Sequence, residues 1–351
     1  MQGSRQRVFD MMEGRTPDRV PLYDLLRNDA VIKHFTGRDL TVENADELLF
    51  EAFPKAIDTT RRVRLPEHPS DTRLPDGRRC VTKRWTSWTE HVKYASSEEY
   101  AEVKRRELAG PWDRWTEDDQ RDVEESLAAY RQKAARLGED FFFFSGGPGI
   151  HLMGIYGEVG LEHFCYYLAD CPDVIDAQLE QRTVRAEMWL EHLPEDHGIV
   201  AVFSGDDIAY KGGPLLSPAW FRENYFARFK RLIAAYHRRG ILVNFHSDGN
   251  LMPILDDLVE AGIDMLNPIE TAAGMDIAEI HRRYPDLIMA GGIDVSTLLP
   301  FGTPDEVRDV TIRAIEDAEG KIMVGSSTEL HNDVPLANFL AMREAVLGYR
   351  L

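Results

Sequence analysis

From Trp115 to the carboxyl terminus, short apolar runs alternate with amphipathic stretches of helical period, and this rhythm limits the chain to a few folds. The apolar runs are Phe141–Pro148, Ile199–Ile208, Ile241–Gly249, Ile263–Glu270, Leu287–Asp294 and Ile322–Glu329. Helical patterns stand before or between them at Glu117–Leu137, Ala219–Arg239, Leu251–Ala261, Ile277–Tyr284 and Asp305–Ala318. Strands that are apolar throughout, rather than alternately, are those buried on both faces of a parallel sheet. Parallel strands separated by helices predict an α/β protein, and their regular parallel winding suits an α/β barrel with its site at the carboxyl ends of the strands. Barrels of eight units take roughly 250 residues, and past 400 with insertions, so 351 residues fit one elaborated barrel or two ordinary domains, and the lack of a glycine- or serine-rich linker favours the single barrel. Residues 116–351 carry the regular units. Residues 1–115 read as an amino-terminal elaboration with a helix at Ser4–Glu13, a first strand fed by Asp18–Leu26 and a hairpin turning at Leu74–Gly77.

Charge and cysteine content narrow the function. Sixty acidic residues against 41 basic ones give a formal charge of −19. That field opposes nucleic acid and anionic membrane surfaces, and a polyanionic substrate could enter only where local arginines offset it. The partner expected is therefore a small molecule. Three cysteines, Cys80, Cys165 and Cys171, stand in no metal-type spacing and suit a reducing cytoplasm. No apolar run approaches the roughly 18 residues of a spanning helix. The pairs Gly146-Gly147 and Gly212-Gly213 lack the spacing of a dinucleotide-binding loop.

The late strands end in ionisable residues: Asp206 and Asp207, His246 and Asp248, Glu270, Asp294, then Glu329 and His331. In a barrel all these ends meet at one mouth. The alternative is that each polar residue caps the next helix, which suits Asp294 and Asn250. Imidazole is a poor cap, which makes His246 the strongest functional candidate. His246 and Asp248 share a face of an extended segment and can ligate zinc, with Glu270 and Glu329 or His331 completing the set. Of the adjacent acids Asp206 and Asp207, one should face the mouth; we take Asp207, as a residue that orients substrate or donates a proton. Tyr156 and Tyr210 are candidates for stacking on substrate, against the alternative of core packing. Trp85 and Trp88 suit a lid or a subunit interface, as in a homodimer.

Several segments resemble the uroporphyrinogen decarboxylase-like superfamily: Ser204–Phe221, Phe245–Asn250, Leu266–Glu270, Gly291–Asp294 and Asp333–Met342. The resemblance runs from about Val8 to the end and is strongest after Val200. It implies a (β/α)8 barrel and two chemistries. One branch decarboxylates uroporphyrinogen without a cofactor, using an arginine-rich segment near its amino terminus. Here that stretch, Leu22–Asp29, offers Arg27 alone, with acids beside it. His331 matches the late histidine of that branch. The other branch comprises zinc-dependent methyltransferases that exchange a methyl group with a corrinoid protein. Its thiol methyltransferases hold zinc by a His-x-Cys pair and a distant cysteine. This chain keeps His246, replaces the first cysteine with Asp248, and has Ser326 and Ser327 near the second. A site of nitrogen and oxygen donors favours polarising an ether oxygen over binding a soft thiolate. The expectation is thus a methyltransferase acting from a small donor, methoxylated aromatic compounds included, to a corrinoid protein. A cofactor-free decarboxylase with Arg27 on a substrate carboxylate, and a barrel that binds ligand without turnover, are the alternatives.

Overall fold

The computed structural model describes residues 2–351. Six parallel strands form a continuous run in which Ser145–Gly146, Ala201–Gly205, Leu242–His246, Met265–Ile269, Ile288–Ile293 and Ile322–Ser326 are neighbours in that order. The ring is closed by two shorter pieces. Thr59–Thr60 pairs with Phe142–Phe143, while Tyr23 bridges Thr59 and Leu22 bridges Val324. The result is an eight-membered parallel barrel. Met265–Ile269, Ile288–Ile293 and Ile322–Ser326 are buried at every residue, as strands covered on both faces must be.

The helices start where the sequence supplies caps. Thr303 accepts from the Glu306 N–H and Glu306 accepts in return from the Thr303 N–H, a reciprocal pair that opens Pro304–Asp317. Thr116 and Asp119 do the same for Glu117–Leu137. The helix expected over Ala219–Arg239 is present as Pro218–Trp220, Phe221–Phe226 and Ala227–Arg238, the middle piece widened to a π-helical turn.

The closing seam is tight. A Cβ on Gly325 would stand 1.7 Å from the Tyr23 carbonyl oxygen, so only glycine lets the first and last strands approach. Beside it, buried Asp24 accepts from the Ser326 N–H at 3.0 Å and the Ser326 hydroxyl at 2.7 Å. Beyond the seam Leu26–Arg27 runs parallel to Leu330–His331.

The amino-terminal helix Ser4–Met12 packs against Thr59–Thr60 and Phe142–Phe143, and its Arg5 N–H donates to the Asp140 carbonyl oxygen just before the latter strand. Arg7 and Arg19 both pair with buried Asp58, which also accepts from Ser4 and from the Leu22 N–H. The expected hairpin becomes a three-stranded antiparallel sheet, Ser70–Arg73, Arg79–Thr82 and Ser87–Thr89. Trp85 is buried against the main core and Trp88 is exposed. No helix among the described residues is long and apolar enough to cross a membrane.

Candidate active site at the barrel mouth

The Leu242–His246 strand ends on the imidazole that anchors the site. His246 is buried, and its Nδ1 lies 2.9 Å from Asn267 Oδ1 at the same level of the adjacent strand. The Asn267 amide nitrogen in turn reaches the Ala290 carbonyl oxygen at 3.4 Å, which leaves Oδ1 to accept. Nδ1 therefore carries the proton, and the lone pair of Nε2 faces the mouth. It faces two carboxylates: Asp207 Oδ1 at 3.5 Å and Asp248 Oδ1 at 3.9 Å. One donor atom from each of the three residues falls within 4.8 Å of the others.

A lone pair turned toward two carboxylates is repulsive unless a proton or a cation sits among them. The electrostatics agree. Burial and the charge of Arg61 hold the His246 imidazole neutral, its pKa lowered to about 4. Burial and the nearby charges of Asp207 and Glu270 raise the Asp248 carboxyl to about 7. A divalent ion would satisfy all three groups. One nitrogen and two oxygens leave room for a further ligand, the pattern of a catalytic rather than a structural zinc site. Asn267 would act as the outer partner that fixes the ring. The donor set fits zinc.

The surrounding contacts hold these groups in place. Asp206 and Asp207 face opposite ways, as an extended chain requires. Asp206 is buried and accepts from the Leu152 and Met153 N–H groups at 2.8 and 2.7 Å and from the Tyr225 hydroxyl at 3.0 Å. It thus takes up the free amides at the start of Leu152–Val159, whose preceding residue, His151, is left-handed and offers no side-chain cap. Asp207 accepts from the Asp248 N–H at 3.0 Å, and the Tyr156 hydroxyl donates to the Asp207 carbonyl oxygen at 2.8 Å. The Thr328 hydroxyl donates to Asp248 Oδ1 at 3.2 Å.

The other candidates are distributed differently. Asp207, expected to orient substrate or donate a proton, stands in the ligand cluster itself. Glu270 lies next to the cluster but does not join it; it accepts from the Gly249 N–H at 2.7 Å. Glu329, taken as a ligand, forms an ion pair with Arg27 instead. The same pair removes Arg27 from the role of free substrate clamp, since its charge already has a partner. His331 lies 3.2 Å from the Val295 carbonyl oxygen through Nε2, and its Nδ1 accepts from the Asp333 N–H, so both ring nitrogens are engaged outside the cluster. Tyr156 stands at the mouth with its hydroxyl occupied. Tyr210 is exposed on the small hairpin that Ala209–Tyr210 makes with Gly213–Pro214. Asp294 is a cap: it accepts from the Ser296 and Thr297 hydroxyls and from the N–H groups of Ser296, Thr297 and Leu298, which together hold its carboxyl down at about 2 against the effect of burial.

Sequence reasoning missed a basic wall facing this cluster. Arg27 is not alone, because the chain brings Arg61, Arg62 and Arg64 close enough for their charges to act on it. The Arg61 guanidinium lies 3.8 Å from the Phe203 ring centroid, and that ring is 5.0 Å from the His246 ring. The available signal was Thr59-Thr60-Arg61-Arg62, basic residues directly after a strand too short to register as apolar. Asn267 was also missed. An amide within the buried run Met265–Ile269 requires a partner, and this one has His246.

Comparison with known proteins agrees with this architecture. The sequence pattern of the family described as Uroporphyrinogen decarboxylase (URO-D) matches residues 121–349. The fold is similar to a solved structure described as a methyltransferase from Methanosarcina mazei, with a TM-score of 0.70 over 99% of each chain at 17% sequence identity. No curated protein matches.

Proposed function

The chain belongs to the uroporphyrinogen decarboxylase family, and from that premise we propose that it is a methyltransferase that draws a methyl group from a small methoxylated donor. The acceptor is a corrinoid carried by a partner protein, and zinc is held by Asp207, His246 and Asp248. The observation that carries the proposal is the neutral His246 Nε2 directed between two carboxylates. The likeness in fold to a chain described as a methyltransferase supports the choice between the chemistries of this family.

Zinc would supply Lewis acidity, drawing electron density from an ether oxygen so that its methyl carbon becomes open to attack. The chain's own residues prepare the place. Asn267 fixes the imidazole tautomer, Tyr156 holds the Asp207 backbone, and Thr328 orients Asp248. Phe203 forms an apolar floor beside His246. The partner docks over the open mouth, where the methyl carbon of a donor held at the cluster is presented to it.

The uroporphyrinogen-type alternative is weakened by the Arg27–Glu329 pair, which neutralises the arginine nearest the family's clamp. The test is formation of methylcobalamin from cob(I)alamin and methoxylated benzenes, followed by absorbance with and without a chelator. Methyl transfer that stops on chelation and returns with zinc is expected. Loss of carboxylate from uroporphyrinogen at an undiminished rate in chelator would replace the proposal with the decarboxylase.

A further inference from the structure

A second cavity, of about 290 Å³, lies between the start of helix Glu117–Leu137 and the second half of helix Pro172–Glu191, and none of Asp207, His246 and Asp248 lines it. A void of roughly 150 Å³ takes a benzene ring, so this one suits a single ring with a short polar chain. Trp115 and Trp189 supply its aromatic walls, and Trp115 is held in place by stacking on His192 with ring centroids 4.0 Å apart. The charges around it are only partly matched. Arg185 pairs with Asp119. Arg182 and Asp122 also line the cavity, and among the described residues neither has an oppositely charged partner. Arg182 Nη1 donates instead to the His151 carbonyl oxygen at 3.3 Å. Burial pushes this arginine below its ordinary range, a cost that a carboxylate beside it would offset. A Cβ on Gly154 would stand 2.7 Å from Arg182 Nη1, so glycine there makes room for the guanidinium.

His151 joins this cavity to the ligand cluster. Its φ of 53° is left-handed, a costly state for a residue with a side chain, and one that persists where the surroundings enforce it. Arg182 holds its carbonyl on one side. On the other, the next two N–H groups, of Leu152 and Met153, donate to Asp206. Further along the same helix the Tyr156 hydroxyl donates to the Asp207 carbonyl oxygen. The helix Leu152–Val159 is thus tied through His151 to Arg182, and directly to both acids that precede the cluster.

We propose that this cavity is a regulatory site for an aromatic α-amino acid. Its carboxylate pairs with Arg182, its ammonium with Asp122, and its ring lies against Trp115 and Trp189. A simple carboxylate would leave Asp122 unmatched, and a simple amine would leave Arg182 so. A guanidinium has donors enough for the His151 carbonyl and a carboxylate together, so the bound ligand restrains Arg182 and steadies the helix that holds Asp206 and Asp207. The site is separate from the mouth and does not depend on the reaction proposed there.

The test uses the full-length, metal-free protein. Binding of L-phenylalanine, L-tyrosine and L-tryptophan is measured by calorimetry beside analogues lacking one charge, the corresponding 3-arylpropanoates and 2-arylethylamines. At least one amino acid should bind roughly tenfold more tightly than both of its analogues, as charge-assisted pairs allow. Hydrogen exchange at the Leu152 and Met153 amides should slow by about threefold or more on binding. Arg182→Met should abolish the preference and the protection, Asp122→Asn should remove the advantage over the propanoate, and His246→Ala should change neither. If no amino acid exceeds its analogues in the wild type, the proposal fails, and that result needs no variant to fold. A preference kept in Arg182→Met but lost in His246→Ala places the ligand at the mouth and overturns it as well. Binding that leaves exchange at Leu152 and Met153 unaltered overturns the regulatory role.

Discussion

On one side of the mouth the functional groups come from strands of five residues, Ala201–Gly205, Leu242–His246 and Met265–Ile269. On the other they come from or follow strands of two residues, Leu26–Arg27 and Thr59–Thr60. The first side is acidic with one imidazole, held by backbone ladders and by partners such as Asn267. The second is basic and held by an aromatic ring and by scattered ion pairs. A long ladder places a donor atom within the few tenths of an ångström that metal ligation demands. The longer ladders thus stand on the side proposed for the metal.

The largest effect should come from breaking the rigid side. His246→Ala should lower zinc affinity by more than about a hundredfold, since loss of an outer-sphere partner alone costs about 10–100-fold. Equilibrium dialysis measures this, and the melting curve of the metal-free protein should still be cooperative. Asn267→Ala removes only the outer partner, so its affinity should fall by about tenfold, within that outer-sphere range. If both variants lose metal equally, Asn267 is not a mere positioning residue.

Acidity sharpens the same contrast. Because the Asp248 carboxyl is raised to about 7, protons compete with zinc there, and affinity should weaken as pH falls through that value. His246 adds no step until about pH 4. The seam behaves in its own way. Burial raises Asp24 to about 6 from an ordinary 3.8, so it binds a proton more tightly folded than unfolded. Its contribution to stability is complete below about pH 4 and is lost as pH rises through about 6, a loss of about 3 kcal/mol. Urea unfolding of Asp24→Asn against the parent should show this slope removed, with zinc binding retained.

The smallest effect should be at Asp294, which caps a helix rather than serving the mouth. Asp294→Ala should cost about 1 kcal/mol of stability and leave zinc affinity unchanged. A loss of zinc affinity would return Asp294 to the site.

The barrel's second half was legible because its strands are buried on both faces, so burial is written into the sequence as unbroken apolar runs. His246 and Asp248 were legible because they end such a run two residues apart. Asp207 was found, but its role was not: only the packing of Leu242–His246 against Ala201–Gly205 brings it to Nε2. Glu329 read as a ligand because it ends a strand, yet the neighbouring Leu26–Arg27 supplies a counter-ion that no spacing reveals. Arg61 escaped notice because Thr59–Thr60 carries no apolar signature, and its neighbours Phe203 and Arg27 are distant in sequence.

The central claim is a metal ion at Nε2 of His246. Anomalous diffraction from crystals of the zinc-loaded protein, collected on both sides of the zinc edge, tests it most directly. A single strong peak bonded to His246, Asp207 and Asp248 is the predicted result. Ordered density with no peak there, or zinc held by Glu270 or Glu329 away from the imidazole, would contradict the account.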